Sequence, residues 1–210
     1  MGAAYSQKAR LWGDLSIFVS ALFFYISTAV VRWGAGRVEI DAAYYVFARF
    51  LLGIVTVAVV MAVGRTGLRV RSYHLLLGRA VFNCIAVYCF YKAVALTTVA
   101  EGNILNMTFP LFVAVFSWLF LKKQREVMAS VMVAVAFVGV WLVLAPDITR
   151  FKTGSLCGLA SGVTAAVAIL YLNLSRRDHD TNTILFFMFG IGAIGMYAVY
   201  HRHIFLPGPM

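Results

Sequence analysis

The run AEGNILNMTFPLF, residues 100–112, places two amides and a proline in one of the most apolar parts of the chain. On a helix, Asn103, Asn106 and Pro110 stand at i, i+3 and i+7, with Met107 beside them at i+4, so they share one face. Pro110 has no N–H to donate, which frees a carbonyl about one turn upstream. In an apolar medium that carbonyl needs a neighbouring helix, a side chain or water. Two chemistries fit the pattern. Either the face lines a cavity and hydrogen-bonds the polar groups of a solute, or the amides cap and tie a helical hairpin while Pro110 supplies a packing kink. Arg49 and Lys92 add positive charge within apolar runs, at about 2.5–3.5 kcal/mol each for a central position. Both lie close enough to the end of a run to snorkel outward. Facing inward instead, they suit anionic or zwitterionic solutes. Tyr25 and Tyr91 offer hydroxyls on the same scale of depth, on rings that also serve packing. Glu101, like Asp14 and Asp41, falls where a helix begins, and a carboxylate there is favoured by the helix dipole. Proton coupling is the alternative role for Glu101.

The elements that must position these residues follow from composition. The chain has 210 residues, 62% of them hydrophobic and 12% charged, against about 45–50% and about 25% in soluble domains. The mean hydropathy is +0.88. The lipid bilayer is therefore the expected surroundings. Seven stretches approach the roughly 20 residues needed to span it: 15–33, 44–64, 75–96, 102–121, 127–144, 154–174 and 183–200. The formal net charge of +10 does not point to nucleic acid, because the basic residues lie mostly between apolar runs, as topology signals do. With the N-terminus in the cytoplasm, Lys8, Arg10, Arg65, Arg69, Arg71, Arg79, Lys122, Lys123, Arg125, Arg176 and Arg177 fall inside. Arg32, Arg37, Arg150, Lys152 and Arg202 fall outside, so the positive-inside bias favours that orientation. Cys84, Cys89 and Cys157 sit within apolar runs, as packing thiols do. Gly158 and Gly162 have the Gly-x-x-x-Gly spacing that lets helices approach closely. His-Glu-x-x-His, Gly-x-Ser-x-Gly and Walker loops are absent, so neither an enzyme nor a cofactor or metal is expected. The stretch from Gly13 and the stretch from Gly154 share a pattern: a small-residue span, a charged loop, then an aromatic-rich span. Five spans separate their starts, so the two units would insert with opposite orientation, as inverted repeats do.

The segment FYKAVALTTVAEGNILNMTFPLFVAVFSWLFLKKQ resembles the fourth-helix region of the EamA-type transporters of the drug/metabolite transporter superfamily. The shared features are Tyr91, Ala93, Leu96 to Thr98, Ala100 and Pro110 to Phe112. FARFLLG, with Arg49 to Leu51, resembles the second helix; LLGRAVFNCIAVYCFYKA, from Arg79, the third; AVAFVGVWLVLAP, with Gly139 and Val140, the fifth. Lys122-Lys123-Gln124 departs from the Gly-Glu-Arg-like turn common in the family. The resemblance implies an all-α membrane protein with a central cavity, built as two inverted five-helix repeats. On that pattern residues 1–146 are the first repeat, and 154–210 are a second repeat with two helices, as in a C-terminally shortened chain. The implied function is secondary transport of a small organic solute (a metabolite, an amino acid or a drug-like compound). The alternative is a non-transporting membrane subunit or regulatory protein derived from such a transporter. A homo-oligomer or a second chain could supply the missing helices. The expected location is a bacterial inner membrane, and the expected path residues are Asn103, Asn106, Pro110, Arg49, Lys92, Tyr25 and Tyr91.

Overall fold

A computed structural model describes residues 2–35, 41–121, 131, 135, 138, 139, 142 and 153–201. Within them the fold is all helical: α1 (Gly2–Ala35), α2 (Ala42–Val63), α3 (Tyr73–Leu96), α4 (Val99–Asn106), α5 (Phe109–Leu121), α6 (Thr153–Ser175) and α7 (Thr181–Tyr200). Six segments among the described residues are long and apolar enough to cross a bilayer: Gly13–Gly34, Ala42–Val63, Tyr73–Leu96, Val99–Ser117, Thr153–Ser175 and Thr181–Val199. They agree with six of the expected spans. Of the remaining one, 127–144, only Val131, Val135, Val138, Gly139 and Leu142 are described; each is helical and exposed.

Local chemistry sets the helix starts. The Asp41 side chain accepts from Ala43 N at 2.9 Å, and Thr98 Oγ1 accepts from Glu101 N at 3.1 Å; each satisfies an orphan donor of a first turn. Asp14 does not do this, because α1 begins at Gly2 and carries Asp14 within it.

Helix α3 is the centre of the bundle and contacts α1, α2, α4, α6 and α7. On one side α6 packs along it, with the Phe82 and Tyr171 rings stacked at 5.8 Å. Gly78 makes the approach possible: a methyl there would stand 2.6 Å from the Tyr171 ring. On the other side lies a core of Val31, Val46, Phe50, Phe90, Tyr91, Val94 and Met196, shared by α1, α2, α3 and α7. Outward faces are apolar, as on α1, where Phe18 is 75% and Phe23 65% exposed. Such a face suits lipid and would be a liability in water.

The fourth span is broken. α4 ends at Asn106 and α5 starts at Phe109, which puts Pro110 in a first turn, where a proline is tolerated. Thr108 Oγ1 donates to Leu105 O at 2.6 Å, so the break satisfies one of its own carbonyls. Gly158 and Gly162 of α6 pack on this break. A methyl at Gly162 would lie 2.5 Å from Thr108 Oγ1, 3.1 Å from Leu105 O and 3.4 Å from Asn106 O. The Gly-x-x-x-Gly spacing is thus the contact that lets α6 cover the break.

Two loops meet at one end of the bundle. Arg71 N and Ser72 N both donate to His179 Nε2, at 3.0 and 3.1 Å. His179 Nδ1 lies 3.2 Å from Ser175 O, so the neutral ring that donates from Nδ1 satisfies all three contacts. The basic segments holding Arg65, Arg69 and Arg71 and holding Arg176 and Arg177 are therefore together. At the opposite end, Gly154 packs against Thr97 and Leu96.

Candidate functional site

Between α1, α2, α3, the α4–α5 break and α6 lies a cavity of about 170 Å³. Its α3 wall is Arg79, Asn83, Ala86, Val87 and Phe90, positions i, i+4, i+7, i+8 and i+11, one stripe of a helix. Phe24, Arg49, Asn106, Phe109, Ala165 and Ile169 complete the lining. Two guanidiniums and two amides face an otherwise apolar space, and no carboxylate lines it among the described residues.

Arg49 does not snorkel. Its Nη1 donates to Tyr91 Oη at 3.1 Å, and that hydroxyl is 3.0 Å from Ser27 Oγ. Its guanidinium carbon lies 5.7 Å from the Phe24 ring centre and 5.8 Å from that of Tyr91, within cation–π range. Phe24 in turn stacks on Phe90 at 5.6 Å. Three helices thus hold one cation in place, while part of its donor fork has no partner among the described residues.

Asn106 belongs to both expected chemistries. It lines the cavity, and its Nδ2 donates to Ser161 Oγ at 3.0 Å. The tie runs to α6 rather than to the neighbouring α3. Ser161 Oγ itself donates to Gly158 O at 2.6 Å, so it meets Asn106 as an acceptor.

The other expected residues stand apart from the lining. Asn103 Nδ2 donates within its own helix to Val99 O at 2.8 Å. Pro110 is exposed at the start of α5, and Tyr25 is 58% exposed on α1. Lys92 Nζ donates to Tyr88 Oη at 3.3 Å, one turn earlier on α3, with that ring centre at 5.6 Å. Tyr91 is buried behind the wall and acts on the cavity through Arg49. Glu101 accepts from Ser155 Oγ at 2.7 Å, which joins α4 to α6.

Sequence reasoning missed Arg79 and Asn83. Arg79 was counted with the loop charges, yet it lies inside α3 and its Nε is buried with no hydrogen-bond partner among the described residues. Among the described residues the charge that acts on it is that of Arg176, a second cation. A buried donor left unpaired costs about 1–3 kcal/mol, more when charged. The available signal was the spacing Arg79–Asn83–Phe90, which repeats one helix face in an apolar run.

Residues 11–145 match the EamA-like transporter family. The chain belongs to that family. Among its relatives, the pseudopaline exporter of Pseudomonas aeruginosa is 25% identical over 183 residues, 87% of this chain and 64% of that protein. An uncharacterized transporter of Archaeoglobus fulgidus is 26% identical over 191 residues, 90% of this chain and 66% of its own length. Solute carrier family 35 member G1 of Mus musculus is 28% identical over 177 residues, 77% of this chain and 47% of that one. The EamA-family chain thus spans about two thirds of the length of the two microbial relatives. No solved structure matches it.

Proposed function

We propose that this EamA-family chain carries a small organic solute with an anionic group across the membrane by alternating access, and that the cavity is its path. The observation behind this reading is the lining: guanidiniums from two helices, amides beside them and, among the described residues, no carboxylate. A desolvated cation is retained in a membrane protein where it meets an ion or a substrate. The volume of about 170 Å³ is below the roughly 300–1,000 Å³ of drug-sized pockets, so a compact metabolite or amino acid fits the reading better than a drug-like compound. Asn106 presents its amide to the solute, and Tyr91 and Ser27 fix the Arg49 head.

The test is reconstitution of the purified chain, alone and with any chain that co-purifies, into liposomes. Uptake and counterflow are followed for a panel of labelled monocarboxylates, dicarboxylates and amino acids. An anionic or zwitterionic solute should move at least several-fold faster than into empty vesicles, and Arg49→Gln should slow it. If no solute on the panel moves with either preparation, the transporter reading fails and the non-transporting subunit takes its place.

The reading also sets the orientation: the end where Arg71 meets His179 faces the cytoplasm of a bacterial cell, and the N-terminus lies on the same side. The clustering of basic loops at that end supports this. A reporter active only in the cytoplasm should light up when fused after Arg71 and stay dark after Lys152. The opposite pattern overturns the orientation.

A further inference from the structure

We propose that the cavity has a second anion subsite at Arg79 and Asn83, and that the solute therefore bears two anionic groups, one met by Arg49 and one by Arg79. This rests on the cavity being the solute path. The two cations belong to different ends of the same lining. Arg49 is tied to Tyr91 and Phe24, next to Phe90 on the wall. Arg79 begins the same wall eleven residues earlier on α3, about 16 Å along the helix axis at 1.5 Å per residue.

The two ends differ in what already satisfies them. Arg49 has a hydroxyl and two ring faces. Among the described residues Arg79 has neither a hydroxyl nor a ring contact, and its Nε is buried without a partner there. Among the described residues the charge that acts on it is that of Arg176, which repels it. Buried polar groups in native proteins are paired with few exceptions, and an exception calls for a missing partner. A carboxylate matches the planar fork of a guanidinium in geometry and sign. Asn83, one turn further along the same stripe, supplies an amide donor to the same group. The apolar floor between the ends, Ala86 and Val87 with Ala165 and Ile169, suits a short methylene linker rather than a polar one.

The probes are straight-chain α,ω-dicarboxylates from four to eight carbons and the monocarboxylates of equal length. Binding is measured by intrinsic fluorescence and thermal shift on the full chain in nanodiscs. The best dicarboxylate should bind at least tenfold tighter than its monocarboxylate. Arg79→Gln should erase that difference by weakening the dicarboxylate far more than the monocarboxylate, because Arg49 remains to meet one anionic group. Arg79→Lys should keep part of the preference. Without ligand, Arg79→Gln should be as stable as the parent or more so, since it removes a half-buried guanidinium whose Nε has no partner among the described residues. If Arg79 instead holds the fold together, Arg79→Gln will be less stable and its loss of affinity will be the same for both probe classes; that overturns the subsite. Equal binding of the two classes by the parent overturns it too, while leaving the single-anion reading intact. Failure of every carboxylate to bind the parent removes both.

Discussion

The bond between Asn106 and Ser161 separates a structural tie from a solute contact, because only one of its two partners lines the cavity. Asn106→Leu and Ser161→Ala each remove the 3.0 Å bond. Interhelical side-chain bonds in membranes are worth about 0.6 kcal/mol on average and about 1.7 at most. Each single variant of this EamA-family chain should therefore lose no more than about 2 kcal/mol from this bond. A double-mutant cycle should give a coupling of about 0.6–1.7 kcal/mol, measured by reversible unfolding in mixed micelles titrated with SDS. Transport should split the pair. Ser161 is fully buried against α4, so Ser161→Ala leaves the amide on the cavity wall and should keep near-normal rates per folded molecule. On the proposed path, Asn106→Leu should also cost a neutral hydrogen bond to the solute, worth about 0.5–1.5 kcal/mol, or roughly a two- to twelvefold loss. If both variants lose transport alike, in proportion to lost folded protein, Asn106 is only a tie and the path reading for this face is wrong. If the coupling is zero, the bond itself is not made.

Gly162→Ala should destabilise by about 1–3 kcal/mol through overpacking against the α4–α5 break, because the added methyl meets Leu105 O and Thr108 Oγ1. Gly195→Ala, with nothing within 4 Å of the new methyl, should be neutral or gain up to about 1 kcal/mol; the same unfolding titration checks both, and equal effects would refute the packing at Gly162. His179→Ala leaves Arg71 N and Ser72 N without their acceptor, so amide exchange at those two positions should rise well above that at Thr97 N, which bonds Ala93 O. Unchanged protection would mean that water or another group replaces the ring. Tyr91→Phe removes the hydroxyl that fixes Arg49 and keeps the ring. Transport should fall, with affinity for anionic solute weakened severalfold, while a fold held mainly by ring packing stays within about 1–2 kcal/mol of the parent.

The residues themselves determined that this is a bundle of membrane helices, since solubility in lipid is a property of each run of about 20 residues taken alone. Pro110 announced the broken fourth helix, and the spacing of Asn103 and Asn106 announced a polar face, because both follow from local backbone chemistry. Gly158 and Gly162 declared a close contact but not its partner. Asp14 misled, because helix α1 runs on past the apolar stretch to Gly2, which charge placement alone does not reveal. What the tertiary structure alone decided is rotation and partnership. It turned Arg49 inward and left Lys92 on Tyr88. It joined Asn106 to Ser161, 55 residues away, and moved Arg79 from the loop charges to the cavity wall. Those outcomes depend on how α3 is clasped, by Tyr171 over Gly78 on one flank, and on the other by Phe50, in one core with Phe90 and Tyr91, and by Gly192 O, which accepts from Cys84 Sγ at 3.8 Å. Every helix in lipid is apolar on most of its faces, so hydropathy sets depth in the membrane, while the facing of a side chain is set by shape complementarity between helices distant in sequence.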